Sequence, residues 1–197
     1  MDTYRVGFFI GSLSSTSINR VLARALIRLA PADLQFVELP IDDLPLYSPD
    51  HDDDYPPAPR ALKRTLAAMD GVLFVTPEYN RSIPGPLKNA IDWASRPFGQ
   101  NSFDRMPVGM IGASPSSIGT ALAQRTLRVV MAYCNAYTMS QPEAYITFSP
   151  ATFGPEGDVS DDAVRGFLED YMREFREHVV RISAAAPRPQ GTEDHTV

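Results

Sequence analysis

Two hydrophobic rhythms alternate along this chain. The first is the short unbroken apolar run: residues 4–10 (apolar from Val6 except for Gly7), 34–39, 71–75, 106–111 and 136–139. Such runs predict strands buried on both faces, which is the signature of a parallel sheet. The second rhythm is helical. It places Val21, Leu22, Ala25, Leu26 and Leu29 on one face, ending near Pro31. It recurs as Leu62, Leu66 and Ala67 within residues 60–69, and as Leu87, Ala90, Ile91 and Ala94. Leu122, Leu127, Val130 and Met131 repeat it over residues 120–133. The last and longest stripe is Val164, Phe167, Leu168, Tyr171, Met172, Phe175 and Val179, within residues 161–182, with Ser160 as the expected cap. Residues 143–153 predict a small extra element, and Gly154-Pro155-Glu156-Gly157-Asp158 a turn.

Strand and helix thus alternate from end to end. That pattern predicts an α/β fold with a doubly wound, five-stranded parallel sheet and helices on both faces. Right-handed crossovers and short links favour the order 2-1-3-4-5. Residues 1–183 are expected to form one domain, and residues 184–197, with Pro187, Pro189 and Gly191 but no apolar pattern, a disordered tail. In this order the loops after strands 1, 3 and 4 share one sheet edge, where open α/β sheets bind ligands.

Those three loops are polar and built from small residues. After strand 1 comes Gly11-Ser12-Leu13-Ser14-Ser15-Thr16-Ser17-Ile18-Asn19-Arg20. Hydroxyl groups at a helix start, beside free N–H groups and a partial positive charge, suit a phosphate. Ser17 also reads as a helix cap, and the two roles are compatible. The loop has neither G-x-G-x-x-G nor G-x-x-x-x-G-K-[ST], so it is neither a dinucleotide fingerprint nor a P-loop. After strand 3 comes Thr76-Pro77-Glu78-Tyr79-Asn80-Arg81-Ser82-Ile83-Pro84-Gly85-Pro86, leading into a helix. The same spacing also suits an ordinary strand–turn–helix link. After strand 4 comes Gly112-Ala113-Ser114-Pro115-Ser116-Ser117-Ile118-Gly119.

Composition narrows the class. With 197 residues, 44 % hydrophobic and 21 % charged, the chain is long enough for a real core. Its net charge of −6 argues against general nucleic-acid binding. Cys134 stands alone, so no internal disulfide can form, which fits a reducing cytoplasm. Its apolar setting marks it as a buried structural thiol. No run is long enough for a membrane span, and no signal-peptide pattern opens the chain. His51-Asp52-Asp53-Asp54, in the Pro-rich loop 42–59, reads as a solvated acidic loop, and no metal site is expected.

Taken together, Gly11-Ser12-Leu13 with Ser17 and Asn19, Thr76-Pro77-Glu78-Tyr79-Asn80, Ser82-Ile83-Pro84-Gly85 and Leu87-Lys88-Asn89-Ala90-Ile91-Asp92-Trp93 resemble the NADPH-dependent FMN reductase family. That family includes chromate, quinone and azo-dye reductases. The likeness extends to Asp43-Leu44-Pro45-Leu46-Tyr47, Gly112-Ala113-Ser114 and the turn before the last helix, so it covers residues 4–180 or so. It implies a flavodoxin-like fold, bound FMN, NADPH or NADH as co-substrate, and a homodimer or dimer of dimers. By the resemblance, Ser12, Ser14, Ser17, the Ile18 backbone and Asn19 hold the FMN phosphate. Pro77, Glu78, Tyr79 and Asn80 hold the ring edge, largely through backbone groups, and Ser114 faces the flavin. The family often has Arg where this chain has Ser14. That departure removes a bidentate phosphate contact, for which Arg20 or backbone N–H groups are the candidate substitutes.

The expected activity is a hydride relay from NAD(P)H through FMN to a small acceptor: a quinone, an azo compound, chromate or free flavin. No side chain is expected to act as a catalytic acid, base or nucleophile. The alternative is a flavodoxin-like FMN electron carrier without reductase activity of its own. A serine hydrolase is disfavoured, since no G-x-S-x-G elbow is present.

Overall fold

A computed structural model describes residues 3–186. The elements run β1 (Tyr4–Ile10), α1 (Ile18–Leu29), β2 (Leu34–Glu38), α2 (Pro57–Ala67), β3 (Gly71–Val75), α3 (Gly85–Ala94), β4 (Pro107–Ser114), α4 (Ala121–Tyr133), β5 (Tyr137–Thr138), β6 (Tyr145–Thr147) and α5 (Asp162–Ala185). The sheet order is β2-β1-β3-β4-β5, all parallel, as the alternation predicts.

Period-2 alternation divides the strand side chains between two cores. Val6, Phe8, Ile10, Leu73, Val75, Ile111 and Ala113 face the α1/α5 layer, among Leu22, Leu26, Leu168 and Phe175. Phe9, Val72, Phe74, Val108 and Met110 face the other layer, among Leu62, Leu66, Leu87, Ile91 and Leu127. Both faces of β1, β3 and β4 are therefore dry, which explains why their sequences are continuously apolar.

Register brings the ends of β1, β3 and β4 together. Ile10 pairs with Val75, and Val75 with Ile111. Gly11 N–H then donates to Val75 O (2.9 Å) and Thr76 N–H to Ile111 O (3.0 Å), so the three strands end side by side. Gly112 is required here: a Cβ on it would lie 2.0 Å from the Thr76 carbonyl oxygen.

The main differences from expectation lie in β4, α2 and α5. β4 runs on to Ser114, because the extra element at 145–147 is a strand that pairs with Gly112, Ala113 and Ser114. The sheet is thus six-stranded, with its fifth position shared by β5 and β6. Where the chain leaves the sheet between them, side chains take over: Arg128 donates to Met139 O (2.9 Å) and Gln124 to Ala144 O (2.7 Å). α2 starts at Pro57 rather than near Arg60, since proline is tolerated in a first turn. α5 is capped by Asp161, which accepts from Ala163 and Val164 N–H, while Ser160 Oγ instead donates to Ala151 O (2.8 Å). α5 also extends to Ala185, so the first residues of the expected tail are helical; residues 187–197 lie outside the described residues.

Loop 42–59 is ordered by α3. Trp93 Nε1 donates to Pro45 O (2.6 Å), Asn89 Oδ1 accepts from Tyr47 N–H (2.9 Å), and Tyr55 OH donates to Trp93 O (2.7 Å). Lys63 on α2 donates to the carbonyls of Ala94 (3.2 Å), Arg96 (2.6 Å) and Gln100 (2.6 Å), which holds the end of α3. Burial pulls its ammonium down to about 8.

Candidate functional site at the edge of beta1, beta3 and beta4

The first loop wraps the start of α1. Ser12 and Ser17 are buried, whereas Leu13, Ser14, Ser15 and Thr16 are exposed. Ser12 Oγ accepts from Ser14 N–H (3.3 Å), and Ser14 Oγ lies 3.2 Å from Thr16 Oγ1. Ser17 caps α1 by accepting from Arg20 N–H (3.4 Å). This leaves the N–H groups of Ile18 and Asn19 without intrahelical acceptors, as at any helix start. The Asn19 side chain is otherwise engaged. Its Nδ2 donates to Ala113 O (3.0 Å) and its Oδ1 accepts from Ala113 N–H (2.9 Å). Asn19 therefore straps α1 to β4, and its backbone N–H is what it can offer a ligand. Arg20 is engaged too, on Glu38 of β2 at 2.9 Å.

The loop after β3 is a tight hairpin. Tyr79 and Ser82 exchange both backbone hydrogen bonds at 3.0 Å, with Asn80 (φ 51°) and Arg81 (φ 66°) as the two central residues. Positive φ at both central positions is the type I′ geometry. Glu78 precedes this hairpin and points away from solvent, its side chain only 9 % exposed. Glu78 Oε2 accepts from Leu122 N–H (2.9 Å) and Ala123 N–H (3.1 Å), the first turn of α4. α4 has no side-chain cap of its own from Thr120. A carboxylate from a different loop thus caps the helix and meets its positive end. Glu78 Oε1 accepts from Arg81 Nη1 at 3.4 Å.

The third loop follows β4. Ser114 is half-buried, and its Oγ accepts from Ser116 N–H (3.1 Å). Residues 115–118 are exposed. All ten residues expected to bind the cofactor lie at or next to this one sheet edge; their contacts decide which atoms remain free. Ser14, Ser15 and Thr16 are exposed, as are Tyr79 and Asn80.

This donor set suits a phosphate in the first loop. Residues 11–17 contain hydroxyls and no carboxylate, and α1 points its positive end at them. Glu78, the one carboxylate within residues 11–17, 76–82 and 114–119, already accepts from two helix N–H groups. The residues present therefore fit an anionic, phosphate-bearing cofactor.

Other candidate groups lie elsewhere. His51 packs on Trp93 at 5.9 Å, and Asp52 accepts from Tyr47 OH at 3.1 Å, so both belong to the α3 contact. Burial pushes the Cys134 thiol up, which makes it a poorer nucleophile. The caps and straps, Glu78 on α4 and Asn19 on β4, escape sequence reasoning. Their partners are 44–45 and 94 residues away, and no local spacing announces them.

The fold and edge define an α/β protein of the 2-1-3-4-5 order with three polar loops meeting at its strand ends. The model of the NADPH-dependent FMN reductase family matches residues 4–151. A 2-hydroxy-1,4-benzoquinone reductase from Burkholderia sp is 46 % identical over 171 residues, covering 87 % of this chain and 93 % of that protein. An NAD(P)H-dependent FMN reductase from Pseudomonas aeruginosa is 35 % identical over 182 residues, covering 92 % and 98 %. Among solved structures, the flavoenzyme NAD(P)H:(acceptor) oxidoreductase FerB from Paracoccus denitrificans superposes with a TM-score of 0.88 at 41 % identity, covering 91 % of this chain and 98 % of that one. The chain belongs to the NADPH-dependent FMN reductase family. Membership makes it an oxidoreductase of flavodoxin-like fold that uses FMN and a reduced nicotinamide nucleotide.

Proposed function

We propose that this protein passes reducing equivalents from NAD(P)H to a small quinone-type acceptor. The observation that carries this reading is the meeting of three loops rich in small polar residues at the ends of β1, β3 and β4. One of them is a hydroxyl-rich helix start, in a chain 46 % identical to a named benzoquinone reductase. Ser12, Ser14, Ser17 and the backbone N–H groups of Ile18 and Asn19 hold the FMN phosphate. The Pro77, Glu78, Tyr79 and Asn80 backbone and Ser114 border the ring. FMN, when bound, supplies the hydride-accepting and electron-donating chemistry. The protein supplies orientation. Glu78 holds the hairpin against α4, and Asn19 holds α1 against β4, so the phosphate loop and the ring turn sit on one rigid frame. No side chain is assigned proton transfer. The active unit is a homodimer or dimer of dimers in the cytoplasm, in keeping with the lone buried thiol.

The test is the visible spectrum of the purified protein before and after anaerobic NADPH. An oxidised-flavin spectrum that bleaches, and returns when p-benzoquinone is added, supports the reading. A flavin spectrum that persists with both NADPH and NADH refutes it in favour of an electron carrier. Failure to bind added FMN refutes it outright.

A further inference from the structure

Arg81 is the only cationic side chain in the three loops of the ligand edge, residues 11–17, 76–82 and 114–119. The first cation beyond the phosphate loop, Arg20, is held by Glu38 at 2.9 Å. The chain as a whole carries −6. An acidic molecule that receives a multiply negative nucleotide needs a local positive group to offset its own field.

Arg81 is also conformationally costly. It occupies the second central position of a type I′ turn at φ 66°, where glycine is preferred and an L side chain is strained. A strained residue at a ligand edge calls for a use of its side chain. The guanidinium has little structural use. Its ion pair with Glu78 is long (3.4 Å), its side chain is 64 % exposed, and Glu78 already accepts two helix N–H bonds. The Arg81 side chain is thus largely open to solvent beside Tyr79 and Asn80, both also exposed.

Resting on the reductase reading above, we infer that Arg81 is a nucleotide-binding residue that takes a phosphate group of the reduced nicotinamide dinucleotide. A guanidinium offers two parallel N–H donors to phosphate oxygens, which suits this role better than an ammonium. Two sources share the chemistry: the 2′-phosphate, present only in NADPH, and the diphosphate, present in both nucleotides.

The test compares wild type with Arg81→Ala and Arg81→Gly, all loaded with FMN. Glycine relieves the turn while removing the guanidinium, so it separates loss of binding from damage to the hairpin. Two readouts are used: KM for NADPH and NADH with p-benzoquinone as acceptor, and calorimetric titration with NADP+, NAD+ and adenosine 2′,5′-bisphosphate. Loss of a charge-assisted pair predicts about 10- to 100-fold weaker binding in both variants. Weakening confined to NADPH, NADP+ and the bisphosphate assigns the 2′-phosphate. Equal weakening of both dinucleotides assigns the diphosphate. Unchanged KM and affinity for every ligand, in the glycine variant above all, overturns the inference. Failure of the wild type to bleach with either nucleotide overturns the reductase reading itself, and calorimetry still reads Arg81 directly.

Discussion

Removing the Glu78 carboxylate should unfasten α4 from the hairpin. In Glu78→Ala, the Leu122 and Ala123 N–H groups lose their shared acceptor in a setting where the side chain is 9 % exposed. Loss of an N-cap costs about 0.5–2 kcal/mol. Loss of a partly buried charge at the positive helix end adds roughly 0.3–2 kcal/mol. With the carboxylate only 9 % exposed, the lost cap stands near the top of its range, about 2 kcal/mol, and the lost charge adds about 1, so the expected destabilisation is about 3 kcal/mol. In Glu78→Gln the amide oxygen still accepts from both N–H groups, so only the charge contribution is lost, about 1 kcal/mol. Arg81→Ala is the control: its pair is long and 64 % exposed, so it should cost under about 1 kcal/mol. Urea unfolding measures all three. With a slope of about 3 kcal/mol per molar, alanine should lower the midpoint by about 1 M and glutamine by about 0.3 M. An alanine midpoint within about 0.2 M of wild type would refute the capping argument. So would a glutamine variant as unstable as the alanine one, because geometry would then count for nothing.

Gly157 has φ 86°, and a Cβ there would lie 2.6 Å from Ala25 N, so Gly157→Ala should cost about 3 kcal/mol or prevent folding; a thermal midpoint near that of wild type would contradict the close packing of this turn on α1. Asn19→Ala removes both bonds to Ala113 and should destabilise the fold by about 2 kcal/mol. It should also weaken FMN binding, read by fluorescence titration, because the start of α1 loses its strap. His178 is held below the usual imidazole range by burial, against the opposing hydrogen bond to Tyr137 O, with Arg181 adding to the depression. Between that lowered value and 6.5 the unfolded chain binds more protons, so stability falls as pH drops through 6.5 and below. His178→Gln should flatten that part of the stability–pH curve, measured by urea unfolding between pH 7.5 and 5.

Much of this molecule could be read in advance because its signals are local. Phe8, Phe9 and Ile10 must be a strand buried on both faces, and Leu22, Ala25 and Leu26 one side of a helix, wherever they end up. The meeting of three polar loops at one sheet edge was readable for the same reason, since they stood at the ends of three buried strands. Boundaries failed where two local options compete. Ser160 and Asp161 can both cap α5, and the choice fell to Asp161 because Ser160 Oγ is drawn to Ala151 O. β5 was legible at 136–139 and a small element within 143–153, but that the latter is a strand pairing with β4 was hidden, because β6 is too short to show a period.

The amino-acid sequence by itself determined the element order, the parallel sheet, its strand order and the sheet edge at which the polar loops gather. These follow from hydrophobic periodicity and chain connectivity, which act over a few residues at a time. Tertiary structure alone decided what the polar side chains at that edge do. Asn19 is a strap and not a free donor, Glu78 is a cap for a helix 44 residues away, Arg20 is turned onto Glu38, and Arg81 is left facing solvent. A hydrogen bond or ion pair is made with whatever the fold brings within about 3 Å, and that neighbour is not written in the residues alongside.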